Sequence, residues 1–180
     1  AVTPERNLAV RAVRAFEQAT QHTVHLELHL EKQIPDGAGL GGGSSDAATV
    51  LRILNQLYDS PLSVTALHTL AVELGADVPF FLEPQPCAAT GRGETLQPLP
   101  DYPCLPLLVL KPPFSVSTAE AYANCQPLEE PQPLPPDSPQ ALCALLSNRF
   151  EVSLQSRFPQ LEVLQAKLCS LGAIGASVSG

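Results

Sequence analysis

The chain has no tryptophan and no methionine, and only 5% of its residues are aromatic. Cations are also scarce: ten Lys and Arg stand against 18 Asp and Glu, a net charge of −8. Nucleic-acid phosphates are gripped by clustered Lys and Arg, so this balance excludes a nucleic-acid partner. A nucleotide ligand stays open, because backbone N–H groups can hold phosphates without side-chain charge. The five cysteines (Cys87, Cys104, Cys125, Cys143, Cys169) are widely spaced, odd in number and form no C-x-x-C. That pattern excludes a disulfide framework and a zinc site, and is expected of small buried hydrophobes in a reducing compartment. There is no signal peptide and no apolar run long enough to cross a bilayer, so no membrane contact is expected. The expected location is the cytoplasm of a bacterium, or a plastid stroma after import. With no initiator Met, a start inside a helical pattern and an end in an interrupted glycine motif, the sequence reads as part of a longer protein.

What is present is a globular composition: 180 residues, 44% of them apolar. Nineteen prolines include six within residues 127–139, "PLEEPQPLPPDSP", which reads as an exposed loop of extended local structure. Thr3-Pro4-Glu5 is a helix-start signal, followed by apolar residues at helical spacing to about Ala19. Val24, Leu26, Leu28 and Leu30 alternate with His25, Glu27, His29 and Glu31, the pattern of a strand with one wet face. His25 and His29 stand too far apart on such a strand to chelate a metal easily. A helix is expected from Ser45, broken at Asp59-Ser60-Pro61, and a second from Ser63 to a left-handed Gly75. Further on, "DVPFFL" (77–82) and "CLPLLVLKP" (104–112) read as strands, and 87–99 as strand, turn, strand. Residues 141–171 read as two helical patterns separated by "RFPQ". The first strand is amphipathic, so the class is α+β rather than a doubly wound parallel sheet. The Pro-rich joint "PLPDYPC" suggests a boundary between residues 1–100 and 101–180.

The richest stretch is "IPDGAGLGGGSSDAA", residues 34–48. It contains a G-x-G-x-x-G, but a dinucleotide turn needs a buried strand running directly into the first glycine. Here the strand alternates, and Pro35-Asp36 intervene. A Walker A loop needs a lysine after its last glycine, and no Lys occurs anywhere in residues 33–110. A protein-kinase glycine loop needs an H-R-D sequence that is also missing. A flexible linker has no need of Ser44-Ser45 placed at the start of a helix. What remains is an anion-binding loop. Its glycines turn N–H groups inward, and the following helix adds its unsatisfied N–H groups and dipole. Each charge-assisted bond would contribute roughly 1.5–3 kcal/mol. Ser44 and Ser45 could donate to phosphate or hold Mg²⁺, whereas Asp46 would repel phosphate unless it faces away or acts through the metal.

Residues Pro35 to Ala48, "P-x-G-x-G-L-G-G-G-S-S-x-A-A", resemble the phosphate-binding motif of the GHMP small-molecule kinases. "LGADVPFFL" (74–82), "ATGRGETLQPL" (89–99), "KPPFSVSTAEAY" (111–122) and "LGAIGASVSG" (171–180) follow in order. Together they narrow the resemblance to the 4-diphosphocytidyl-2-C-methyl-D-erythritol kinase family. The resemblance implies a two-domain GHMP kinase fold, with an N-terminal ATP-binding domain like the second domain of ribosomal protein S5 over 1–100. A ferredoxin-like C-terminal domain would occupy 101–180, both domains being partial. It implies ATP and Mg²⁺ as cofactors, and transfer of a phosphoryl group to the 2-hydroxyl of the small-molecule substrate CDP-methylerythritol, in the non-mevalonate isoprenoid route. ATP would contact Pro35, Asp36, Gly37, Ala38, Gly39, Leu40, Gly41, Gly42, Gly43, Ser44 and Ser45. Ser117, Thr118, Tyr122 and Gly175 would contact the substrate, with Tyr122 stacked on the cytosine; a Tyr packed on the core is the alternative. Asp77 would be the catalytic acid/base, against the reading of an ordinary turn or capping aspartate. Arg92 could contact a phosphate or only close a hairpin. The family's N-terminal "P-A-K-x-N-L"-type strand, with its catalytic lysine, is missing from these residues. So residues 1–180 alone are expected to be inactive, and a nucleotide-binding protein without catalysis, or another GHMP kinase, is the alternative function.

Overall fold

The computed structural model describes residues 3–35, 37–99, 104–114, 116, 118–125, 138–144, 146 and 148–179. The chain divides into two compact units, one of residues 1–36 and 41–100, the other of residues 37–40 and 101–180.

In the first unit the apolar stripe of residues 8–19 folds as α1 (Leu8–Thr20). It begins four residues later than the Thr3 signal suggests. Thr3 closes a single isolated turn, its carbonyl accepting from the N–H groups of Arg6 and Asn7. The cap is Asn7, whose Oδ1 accepts from Ala9 N–H at 3.0 Å. α2 (Gly42–Leu57) and α3 (Val64–Leu74) pack with α1 and the short α4 (Val78–Leu82) around Ala12, Phe16, Ala48, Leu51, Leu54, Ala71 and Val78. The small residues let the helices approach closely, and Phe16, Leu51, Leu54 and Val78 fill the interior. Asp59 and Ser60 end α2 in left-handed conformations, and Ser63 caps α3 by accepting from Ala66 N–H, both as the sequence indicates. Gly75 is not left-handed: at φ 173° it is extended backbone.

Three expected strands are not formed. "DVPFFL" is the helix α4, because Pro79 stands at its first turn, where a proline's fixed φ favours a helix. Residues 21–33 and 104–110 carry no ladder, and Leu26, Leu28, Leu30 and Leu107–Leu110 are exposed. An apolar alternation specifies a strand only where a neighbouring strand supplies hydrogen bonds. Among the described residues the one sheet is the antiparallel hairpin β1 (Cys87–Thr90) and β2 (Thr95–Pro98), in register Cys87↔Pro98 to Thr90↔Thr95.

The second unit holds α5 (Thr118–Ala123), α6 (Pro139–Ala144), α7 (Glu151–Arg157) and α8 (Gln160–Ser170). "RFPQ" separates α7 from α8 as the sequence indicates. The proline-rich stretch lies outside the described residues up to 137. All five cysteines are free thiols, but Cys104 and Cys169 are exposed rather than buried. Partial burial pushes the Cys87 thiol up. Among the described residues no helix is long and apolar enough to cross a membrane.

Candidate functional site

Gly37, Gly39 and Gly41 all have φ between 64° and 67°, alternating with residues of negative φ. Such left-handed alternation turns successive N–H groups toward one side, the backbone requirement for cradling an anion. Gly41 is the N-cap of α2, and its carbonyl accepts the first helical bond, from Ser45 N–H at 2.9 Å. The helix therefore starts at Gly42, and Ser44 and Ser45 lie in its first turn, not at its cap. No side chain caps this end, so the leading N–H groups of a 16-residue helix stay available.

Two features of the first unit converge on that helix end. The segment before the loop folds back, so that a Cβ on Gly42 would lie 3.1 Å from Ile34 and 3.6 Å from Lys32 Nζ. Lys32 Nζ forms an ion pair with Asp46. The sequence does not signal this cation: a Walker-type lysine follows the glycines, whereas Lys32 precedes them. The pair also resolves the position of Asp46, whose charge is compensated at the helix start. The second feature is α4. A Cβ on Gly41 would sit 2.8 Å from the Phe81 ring, which places α4 against the N-cap of α2. Asp77 stands at the opposite end of this helix, roughly 6 Å along the axis from Phe81.

Asp77 occupies the N-cap position of α4, yet its side chain makes no capping bond. Its carboxylate is exposed and has no hydrogen bond or ion pair among the described residues. The capping role that explains most loop aspartates is therefore not what this side chain does. The β1–β2 turn lies beside it: a Cβ on Gly93 would be 3.7 Å from Asp77 Oδ1. Arg92 closes that turn through its backbone, donating its N–H to Glu94 Oε2 at 2.7 Å.

Within the second unit, Tyr122 is 67% exposed and meets Phe150 edge-on at 5.1 Å, so it is not a core tyrosine. Ser179 Oγ donates to the Gly39 carbonyl at 2.7 Å. Glu151 Oε1 accepts from Gln165 Nε2, Ser177 Oγ and Val178 N–H, which fixes the backbone leading to Ser179. Gly175 packs on α6, where a Cβ would come within 3.0 Å of Leu146 and 3.1 Å of Cys143. Asp36 and Ser117 lie outside the described residues, as does the Thr118 side chain. Among the described residues no group of three or more His, Cys, Asp and Glu could hold a metal ion.

Residues 7–84 match the family described as the GHMP kinases N terminal domain. A 4-diphosphocytidyl-2-C-methyl-D-erythritol kinase of Solidesulfovibrio magneticus is 44% identical over 97% of this chain and 64% of its own length. One from Synechococcus sp. is 39% identical over 99% of this chain and 63% of its own length. The chain thus spans a little under two thirds of these curated relatives. A crystal structure of 4-(cytidine 5'-diphospho)-2C-methyl-D-erythritol kinase is also similar. It superposes with a TM-score of 0.71 at 34% identity, over 96% of this chain and 67% of that one. The mixed helix and strand content agrees with the α+β expectation.

Proposed function

The chain belongs to the 4-diphosphocytidyl-2-C-methyl-D-erythritol kinase family of the GHMP kinases, and from that premise we propose that the protein transfers the γ-phosphoryl group of ATP to the 2-hydroxyl of 4-diphosphocytidyl-2-C-methyl-D-erythritol. The observation that carries this reading is the exposed Asp77 carboxylate, without a hydrogen bond among the described residues, at the start of a helix whose Phe81 lies against Gly41, the N-cap of α2. The loop from Pro35 to Ser45 receives the phosphates on its main-chain N–H groups, with the α2 dipole behind them. Lys32, paired with Asp46, removes the acidic charge that would otherwise repel phosphate at this helix end. Asp77 accepts the proton of the substrate hydroxyl as its oxygen attacks the γ-phosphorus. The bond from that phosphorus to the β-phosphate oxygen breaks, and ADP leaves with the electron pair.

Mg²⁺ fits this set modestly. Consecutive positions of α2 point apart and Asp46 is paired with Lys32, so the Ser44 or the Ser45 hydroxyl would be a single protein contact to an ion that keeps its waters and is held by substrate phosphates. When bound, it would supply charge neutralisation to the phosphates. On the substrate side Tyr122 offers an open ring face for the cytosine, with Ser117, Thr118 and Gly175 as further contacts.

The test is phosphorylation of 4-diphosphocytidyl-2-C-methyl-D-erythritol against mevalonate phosphates by the full-length protein and its Asp77→Asn variant. Transfer to the cytidylyl alcohol alone is expected. The variant should lose turnover by at least about a hundredfold while still binding ATP. Near-normal turnover by Asp77→Asn refutes the assignment, and a preference for mevalonate phosphates favours another GHMP activity.

A further inference from the structure

The β1–β2 turn is unusually constrained for an exposed hairpin tip, and its constraint ends at Asp77. Gly93 has φ +114°, which side chains rarely adopt, and it faces the Ala76 carbonyl and Asp77 Oδ1 across a gap that a Cβ would close to van der Waals contact, each atom 3.7 Å from where that Cβ would stand. Gly91, at φ +72°, leaves its side-chain space to Glu94, whose carboxylate sits 2.8–3.1 Å from an ideal Cβ there. The same carboxylate accepts from Arg92 N–H at 2.7 Å, while Gly93 N–H donates to the Thr90 carbonyl at 3.1 Å. Hydrogen bonds from the backbone of Glu94 itself and of Arg92 hold the Glu94 carboxyl below the usual carboxylate range. Beyond the Thr90↔Thr95 pair that closes it, this turn with two left-handed glycines has, among the described residues, the Gly93 N–H bond and the Glu94 side chain to fix it.

We propose that Glu94 is a positioning residue for Asp77: by bracing the Gly91–Gly93 turn it holds a backbone wall against the Asp77 carboxylate. The inference rests on the reading of Asp77 as proton acceptor and extends it. An exposed aspartate with no hydrogen bond of its own can rotate freely about two bonds. A proton acceptor must stay within hydrogen-bond reach of the attacking hydroxyl, and misplacement by about 1 Å can cost on the order of a hundredfold in rate. The wall removes rotamers that point the carboxylate across the turn. Among the described residues Glu94 has no hydrogen bond or ion pair to the glycine loop or to α2, so its effect falls on the chemical step and not on nucleotide binding.

The experiment compares wild type, Glu94→Ala, Glu94→Gln and Gly93→Ala in the full-length protein. It reads kcat and KM for ATP and for the cytidylyl alcohol, calorimetric ATP affinity and the thermal midpoint. Glu94→Ala is expected to lower kcat about tenfold or more with KM for ATP within about twofold of wild type. Glu94→Gln keeps an oxygen for Arg92 N–H and should restore kcat to within about threefold. Gly93→Ala leaves Glu94 in place but strains the backbone at φ +114°, should displace the same turn and so lower kcat, and decides the matter if Glu94→Ala does not fold. Wild-type kcat in Glu94→Ala, or a loss that Gln does not rescue, overturns the proposal while leaving the kinase reading intact. A wild type that phosphorylates no cytidylyl alcohol overturns the kinase reading and this inference with it.

Discussion

Gly41 meets two demands at one position. Its φ of +64° lies where an L side chain costs about 1–2 kcal/mol, and a Cβ would enter the Phe81 ring at 2.8 Å. The ring cannot simply swing aside, because it packs edge-on against Phe80 at 5.0 Å. Gly41→Ala should therefore lower the thermal midpoint of the 180-residue chain by about 2–8 °C, from the conformational term alone. A midpoint within 1–2 °C of wild type, roughly the scatter of such scans, would mean that the loop relaxes without cost. The sharp turns of the glycine run and the helix that follows it were legible from composition and order alone, since glycines at Gly37, Gly39 and Gly41 supply the positive φ without any side chain having to be placed. Lys32 was not legible, because its relevance depends on a fold-back across 14 residues to Asp46. The bracing by Glu94 was hidden for a similar reason. "GRGE" says hairpin, but not what lies beneath the hairpin.

At the scale of elements, the helices were read well where an apolar stripe and a local cap agree. Ser63 and the break after Tyr58 are examples. Asn55 shows what a stripe alone leaves out. It falls on the inward face of α2 among apolar residues and is 8% exposed, the buried polar residue of this core. Its side chain spans the α2–α3 connection: Nδ2 donates to the Leu62 carbonyl at 3.1 Å and Oδ1 accepts from Leu62 N–H at 3.0 Å. Both ends of the amide are thus satisfied by one residue of the loop that turns the chain. Asn55→Ala leaves a buried N–H and C=O without partners and should cost about 1–3 kcal/mol, read as a lower urea midpoint at unchanged slope. A changed slope would instead indicate that the connection has lost its structure. The errors among the elements share a physical cause. "DVPFFL" has strand-like composition, but Pro79 and the packing of Val78 and Phe81 decide for a helix. Residues 24–31 have strand periodicity without a partner to bond.

Over the whole molecule, order follows burial rather than sequence pattern. The first unit has a continuous core through α1, α2, α3 and α4, whereas Leu107 and Leu108 are 84% and 72% exposed in a stretch of nearly pure hydrophobes. Residues 25–33 and 105–110 have no backbone hydrogen bonds among the described residues, while those of α2 are held in a helix with Ala47, Ala48, Leu51 and Leu54 beneath them. Amide exchange reports this difference directly, because an amide without an acceptor needs no opening event to exchange. In the 180-residue chain, amides of 25–33 and 105–110 should exchange at close to the unstructured rate. Those of Val50–Asn55 should be protected by the full stability of the first unit. Val24 is an instructive exception: its N–H donates to Glu17 Oε1 at 2.8 Å, so it should be slower than His25 beside it. If 25–33 or 105–110 proved as slow as α2, those segments would have found ladder partners in solution. The apolar alternation of Leu26, Leu28 and Leu30 would then specify a strand after all.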